Sequence, residues 1–310
     1  VATSDQLLVV IDPVARRTDG ESVRIAKDVL GAGATTKVCL PEEPAEFARA
    51  VERRGSRRLV VVGDDRTLLR TVALLHHRRE LAGCALGVIP VGGTLALARS
   101  LGVPSGAVAA ARAVLDGTER RLDLLVDESD GVVLGALRIP PLNGVPEILP
   151  GGPGGPGGPG GPGGPGGSGG PPGARGAVGA VVGSAGHHPW LRTCQTLVRT
   201  LAVRAPRVPA AQHGGPASAR LRVEVDGRTL VDLDQPVTTV SVTPGHAGAA
   251  EVEVRPVSLD GEINTLRALG NRVTVSGPDF RYRADTVVAG PVRTRTWTVR
   301  EDAWGLTLPR

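Results

Sequence analysis

The sequence predicts an α/β N-terminal domain built on a parallel, Rossmann-like sheet, followed by a β-rich sandwich domain. Three observations lead there. Short apolar runs alternate with helical patterns as far as Leu115, and apolar and polar residues alternate singly in many runs after Arg121. Two of the early apolar runs also empty into glycine-bearing turns, at Gly63 and at Gly92-Gly93. Strands that alternate with helices form a parallel sheet covered on both faces, and ligands bind outside the carboxyl ends of its strands. Both glycine turns fall at such ends.

The elements follow in order. Leu7–Ile11 reads as a first strand, and Glu21–Leu30 as a helix with Val23, Ile25, Ala26 and Val29 apolar. Lys37–Leu40 is a strand, Pro44–Arg54 a helix and Leu59–Val62 a third strand. Leu68–His76 is helical, Leu86–Pro90 is the fourth strand, and Leu95–Leu101 is a helix stopped by Gly102. Val108–Leu115 closes the set, with Asp116-Gly117 as its stop. These elements define an α/β domain over 1–118.

Residues 119–310 form the second expected domain. Leu122–Val126 and Val132–Leu137 make a hairpin around Ser129-Asp130-Gly131. Leu221–Val225, Leu230–Leu233, Val237–Val242, Glu251–Val254, Val273–Val275 and Arg293–Val299 are further strands. Asp226-Gly227 is a hairpin-turn signal between the first two. A Gly/Pro-rich insertion at about 140–186, centred on the Gly-Gly-Pro tract Gly151–Gly170, is expected to be a flexible interruption. Beyond it, Pro189–Val203 carries one apolar helical face that includes Trp190, Leu197 and Leu201.

Bulk properties narrow the function. The 310 residues are enough for two domains with cores, and with aromatics at 2% those cores must be aliphatic. No apolar run approaches the roughly 20 residues of a membrane span. The N-terminus lacks the charged-then-apolar order of a signal peptide, which points to a cytoplasmic protein, at most peripheral to a membrane. Cys39, Cys84 and Cys194 are far apart and show no metal-ligand spacing, so they read as buried thiols. The net charge of +5 comes from dispersed arginine pairs such as Arg53-Arg54 and Arg57-Arg58. Nucleic-acid binding would gather them in one stripe, so these read as solvated helix faces.

The chemistry is expected at the two glycine turns. Val60-Val61-Val62-Gly63-Asp64-Asp65-Arg66-Thr67-Leu68 and the segment from Gly87 to Arg99, in this order, resemble the catalytic-domain family of the diacylglycerol kinases. That family's turns read GGDGT and P-x-G-T-x-N-D-x-A-R. Asp12-Pro13-Val14-Ala15 stands where the family has N-P-x-S/A-G, and Arg121-Leu122-Asp123-Leu124 resembles the start of its β domain. Val254–Gly261 resembles its late P-x-A-x-x-D-G segment. The resemblance implies ATP and Mg²⁺ as cofactors and a lipid acceptor at the membrane surface, whose hydroxyl would receive the γ-phosphoryl group. It implies that Asp65, as metal ligand, and Thr67 organise metal and phosphate. Gly63, Gly92 and Gly93 would give close backbone approach to the nucleotide, Arg99 an anion contact, and Asp260 the base for the acceptor hydroxyl.

The sequence also departs from that pattern. Asp64 and Arg66 replace the second and third glycines, at a cost in space and φ freedom. Gly93, Thr94, Leu95 and Ala96 stand in place of Thr, Gly, Asn and Asp, so an amide contact is lost at Leu95. Ala284-Asp285-Thr286 stands where the family has Asp-Gly-Glu. Three readings stay open: an active lipid kinase, a non-catalytic pseudokinase that binds nucleotide or regulates, and an NAD-kinase-like enzyme with a soluble acceptor. Asp65 also has a plain structural reading as a helix N-cap, and Asp260-Gly261 as a hairpin corner.

Overall fold

The computed structural model describes residues 6–141, 218–258 and 264–310. The Gly-Gly-Pro tract, the apolar face of Pro189–Val203 and Asp260 lie outside the described residues.

The first half runs β1 (Gln6–Ile11), α1 (Pro13–Thr18), α2 (Gly20–Gly33), β2 (Thr35–Cys39), α3 (Pro44–Glu52), β3 (Arg58–Gly63), α4 (Asp65–His77), β4 (Ala85–Pro90), α5 (Ala96–Ser100) and α6 (Ala107–Asp116). Strands β4, β3, β1 and β2 lie side by side and are all parallel. β1, β3 and β4 are buried along most of their length because helices cover both faces, which is why they read as unbroken apolar runs. The side-chain period of two divides their residues between two cores. Leu8, Val10 and Val61 pack with Phe47, Val51, Leu68, Val72 and Leu75 of α3 and α4. Leu7, Val9, Ile11, Val60 and Val62 pack with Ala26, Leu30, Ala110 and Val114 of α2 and α6. The alanines of α6 allow a close approach to the sheet. A Cβ on Gly87 of β4 would stand 3.0 Å from the Val114 side chain.

The second half is antiparallel and β-rich, as expected. It comprises β5 (Thr118–Asp127), β6 (Val132–Val133), β7 (Leu137–Ile139), β8 (Arg222–Val225), β9 (Arg228–Val231), β10 (Val237–Pro244), β11 (Ala250–Pro256), β12 (Leu266–Gly270), β13 (Arg272–Ala284) and β14 (Val287–Leu308). Both expected hairpin turns form. Asp226 and Gly227 take φ of 50° and 79° between β8 and β9. Asp130 takes φ of 62° between β5 and β6, and Asp127 accepts the amides of Ser129 and Gly131 there. A third core gathers Leu125, Val223, Val240, Val252, Val275 and Trp297. Tyr282 meets Trp297 edge to face, with ring centroids 5.2 Å apart.

Strand β14 joins the two halves. Its first part pairs with β13, and its last residues pair in parallel with β4, at Gly305 with Ala85 and Leu306 with Leu86. β5 accompanies it antiparallel from Trp297 to Leu308, with one irregularity between Arg300 and Trp304. Asp123 fixes that irregularity, because its carboxylate accepts the amide of Asp302 at 2.9 Å and that of Gly248 at 2.8 Å. Hydrogen bonds therefore run through one 14-stranded sheet.

Two elements escape the sequence reading. α1 is a single short helix capped by Asp12 with Pro13 in its first turn. β12 is an edge strand on which Leu266 and Ala268 pack inward, but the outward Leu269, 74% exposed, hides the alternation in the sequence. β13 and β14 are longer than expected, because Gly277-Pro278 and Gly290-Pro291 interrupt the pattern without ending either strand. Register shifts between Ser276 and Phe280 absorb the first of these breaks.

Candidate functional site

The carboxyl ends of β1, β3 and β4 carry the three turns singled out in the sequence. At the end of β3, Asp64 occupies the N-cap of α4 in extended conformation. Its Oδ1 accepts from the Thr67 backbone amide and from the Thr67 hydroxyl, both at 3.1 Å. Thr67 is buried and folds back over Gly63, where any Cβ would lie 2.7 Å from the Thr67 side chain. Gly63 is thus required by its own turn.

Asp65, 1% exposed, turns away from α4 and reaches the next turn. Its Oδ2 accepts from the Leu97 amide and its Oδ1 from the Ala98 amide, each at 3.0 Å. Its own amide donates to the Thr94 carbonyl at 2.9 Å. Those two amides belong to the first turn of α5, whose N-cap residue, Leu95, has no side-chain acceptor to offer. Asp65 is therefore a capping carboxylate, but for α5 rather than for the helix that contains it. Burial pushes its carboxyl above the usual carboxylate range, against the lowering effect of the α5 amides; the nearby Asp64 charge adds to the rise.

The turn after β4 holds Gly92 at φ 127°, in the region that favours glycine. A Cβ there would lie 3.2 Å from Asp64 Cβ, so the Asp64 side chain stands directly against the second turn. Gly93 is exposed and has open space on its Cβ side. Arg99 is exposed in the last turn of α5, where a cation complements the helix dipole.

The turn after β1 follows the same plan. Asp12 Oδ1 accepts the Val14 amide at 2.8 Å to cap α1, and its Oδ2 takes Arg70 Nη2 at 2.6 Å. The Arg70 guanidinium lies 4.3 Å from the centroid of the Phe47 ring. The strand ends after β1, β3 and β4 thus each present one of the chain's own carboxylates to a helix start.

The β-rich half brings one further acid to this region. Asp285, between β13 and β14, has φ of 51°. It accepts the amides of Leu134, Gly135 and Ala136 at 2.8, 2.8 and 2.9 Å. Gly135 lies between Asp285 and α5, where a Cβ would stand 2.7 Å from Leu97 Cδ1 and 3.0 Å from Asp285 Oδ1. Burial first pushes the Asp285 carboxyl above its ordinary range, and the charge of Asp65 adds to the rise. In the sequence the Ala284-Asp285-Thr286 segment stands where the family has Asp-Gly-Glu, and nothing local marks Asp285 as a site residue. Its signal is a lone acid at a tight β turn. Among the described residues, no group of three or more His, Cys, Asp or Glu side chains is arranged to hold a metal ion. Nor is any described helix long and apolar enough to cross a membrane.

Comparison with known proteins supports the resemblance. Residues 6–126 match the family described as "Diacylglycerol kinase catalytic domain". No curated protein matches the chain. Two solved structures share its fold over nearly the whole length. One is described as "A putative diacylglycerol kinase from Bacillus anthracis str. Sterne", with 12% identity and a TM-score of 0.64, covering 99% of this chain and 98% of that one. The other is described as "The crystal structure of a diacylglycerol kinases from Bacillus anthracis str. Sterne", with 11% identity, a TM-score of 0.61 and the same coverage. At such identities the likeness is one of fold.

Proposed function

We propose that this chain is a non-catalytic relative of the diacylglycerol kinases, one that keeps the kinase frame and has closed its phosphate turns with its own carboxylates. The observation that carries this reading is the double acceptance of the Leu97 and Ala98 amides by Asp65. A helix start attracts phosphate because its first amides are unpaired and its dipole is positive there. At α5 two of those amides are already paired to the Asp65 carboxyl oxygens. At α4 the Asp64 carboxylate takes the Thr67 amide and adds a charge that repels a polyphosphate.

The residues present do not fit the Mg²⁺ that the resemblance implies. A carboxylate ligates a hard cation through an oxygen open to it, usually beside other oxygen ligands and water. Both Asp65 oxygens face backbone amides, and the group is almost wholly buried. Asp65 therefore has no oxygen open to serve as a metal ligand. Leu95, which stands where the family has Asn, offers α5 no side-chain acceptor, and the Asp65 carboxylate accepts two of its first-turn amides.

The competing reading is ATP-dependent phosphorylation of a lipid hydroxyl, with Asp65 and Thr67 on metal and phosphate, Gly63, Gly92, Gly93 and Arg99 around the nucleotide, and Asp260 as base. Asp285 is the acid that the β-rich half brings near α5, and its oxygens already accept the Leu134, Gly135 and Ala136 amides. An NAD-kinase-like reaction would need the same turns open. The discriminating experiment incubates the full chain with radiolabelled ATP, Mg²⁺ and vesicles containing diacylglycerol, with soluble acceptors including NAD in parallel. The expected result is no labelled product above the no-protein control. Steady turnover on any of these acceptors would overturn the non-catalytic reading.

A further inference from the structure

At the opposite end of the parallel sheet, where β3, β4 and β5 begin and β14 ends, lies a cavity of about 630 Å³. That volume is in the range of sites for small organic ligands. Three connections wall it, Arg54–Arg58 leading into β3, Ala82–Ala85 leading into β4 and Gly117 between α6 and β5, together with Glu119 of β5 and Thr307 of β14.

Its charges do not cancel. Arg54 is paired with Glu80 at 2.6 Å, and Glu119 with Arg121 at 3.2 Å. Arg57 is different. Its Nη1 reaches only the Arg54 carbonyl, at 3.3 Å, and no carboxylate among the described residues pairs with it. Two helix ends near this cavity already have guanidinium donors. Arg54 Nη1 donates to the Val51 carbonyl at 3.4 Å, and Arg58 Nη2 to the Val114 carbonyl at 2.6 Å. The negative ends of α3 and α6 are thereby offset, which reduces their repulsion of an anion. Gly55 and Gly83 keep two of the walls low. Nothing lies within 4 Å of a Cβ on Gly83, and only Arg57 Nη1, at 4.0 Å, approaches one on Gly55. Cys84 supplies a neutral floor, since burial pushes its thiol above the ordinary range.

We propose that this cavity binds a small phosphorylated molecule, with the Arg57 guanidinium and the Ser56 hydroxyl on its phosphate. An arginine fork with N–H groups to spare matches two phosphate oxygens at once, and the volume leaves room for an organic remainder over Cys84. The site is remote from the closed glycine turns and does not depend on how they are read.

Inorganic pyrophosphate is a suitable probe, titrated calorimetrically into the full chain at 0.15 M KCl so that loose surface binding is screened. Saturable binding is expected. It should weaken at least tenfold in Arg57→Ala, recover in part in Arg57→Lys, and stay unchanged in Arg228→Ala, an exposed arginine of β9 outside the cavity. Arg57 lies in a connecting loop, and a thermal melt of each variant confirms that it is folded. Amide NMR shifts at Gly55 and Gly83 on addition of pyrophosphate would locate the site independently. No saturable binding by wild type would overturn the proposal, as would an Arg57→Ala variant that titrates like wild type. So would shifts confined to Gly63 and Gly92.

Discussion

Asp65 and Leu97 are hydrogen-bonded across two consecutive βα turns, carboxylate oxygen to backbone amide at 3.0 Å. The bond ties the turn after β3 to the helix after β4. It uses an acid that the resemblance assigns to a metal for a purpose that needs no ligand.

The first prediction concerns stability. Removing the Asp65 carboxylate leaves the Leu97 and Ala98 amides buried without an acceptor, and an unsatisfied buried amide costs about 1–3 kcal/mol. Asp65→Ala should therefore lose about 2–3 kcal/mol in urea denaturation at neutral pH. Asp65→Asn keeps one acceptor oxygen and should lose about half as much. A loss below about 0.5 kcal/mol in Asp65→Ala, the size of an inconsequential surface change, would mean that the carboxylate does not hold α5.

A second prediction follows from Asp285. Its folded carboxyl binds a proton more tightly than the unfolded one, whose pKa is about 3.9. Between that value and the raised folded value the native state carries the extra proton, so this stabilising contribution is full at low pH and is lost as pH rises. Asp65 acts in the same direction. The stability advantage of wild type over Asp285→Asn should be largest near pH 3.5, shrink through the carboxylate range and then level off. Denaturation curves across that range provide the check, and an advantage that grows with pH would contradict the assignment.

Much of this was legible in the sequence. Runs such as Leu59–Val62 and Leu86–Pro90 give strands because burial on both faces leaves no polar residue to interrupt them. Asp226-Gly227 gives its hairpin because the turn demands positive φ. The departures at Asp64, Arg66 and Leu95 were also visible as lost glycine and amide chemistry. What could not be read was where each carboxylate points. Asp65 stands at the start of α4, so local sequence offers it as a cap for that helix, whereas Asp64 takes that cap and Asp65 reaches 32 residues along the chain to Leu97. Asp285 was equally opaque, since its three amide partners come from residues 134–136 on another strand connection.

A third prediction reverses the closure. Asn at position 95 would sit at the α5 N-cap, where its side-chain oxygen competes with Asp65 for the same amides, a capping contribution of about 1 kcal/mol. Asp64→Gly removes the side chain that stands against Gly92, and Arg66→Gly restores the third glycine. Combined, Leu95→Asn, Asp64→Gly and Arg66→Gly should strengthen Mg-ATP binding at least tenfold relative to wild type, read by competition with a fluorescent ATP analogue. Equal affinities in the two proteins would show that these three positions do not close the site.

The most direct test of the account is a calorimetric titration of Mg-ATP into the wild-type chain at neutral pH. With Asp64 and Asp65 on the amides that would meet phosphate at the glycine turns, the account predicts no saturable heat that Asp64→Gly alters, up to millimolar nucleotide. Saturable binding in the micromolar range, abolished by a bulky substitution at Gly93, where a side chain has open space, would contradict it.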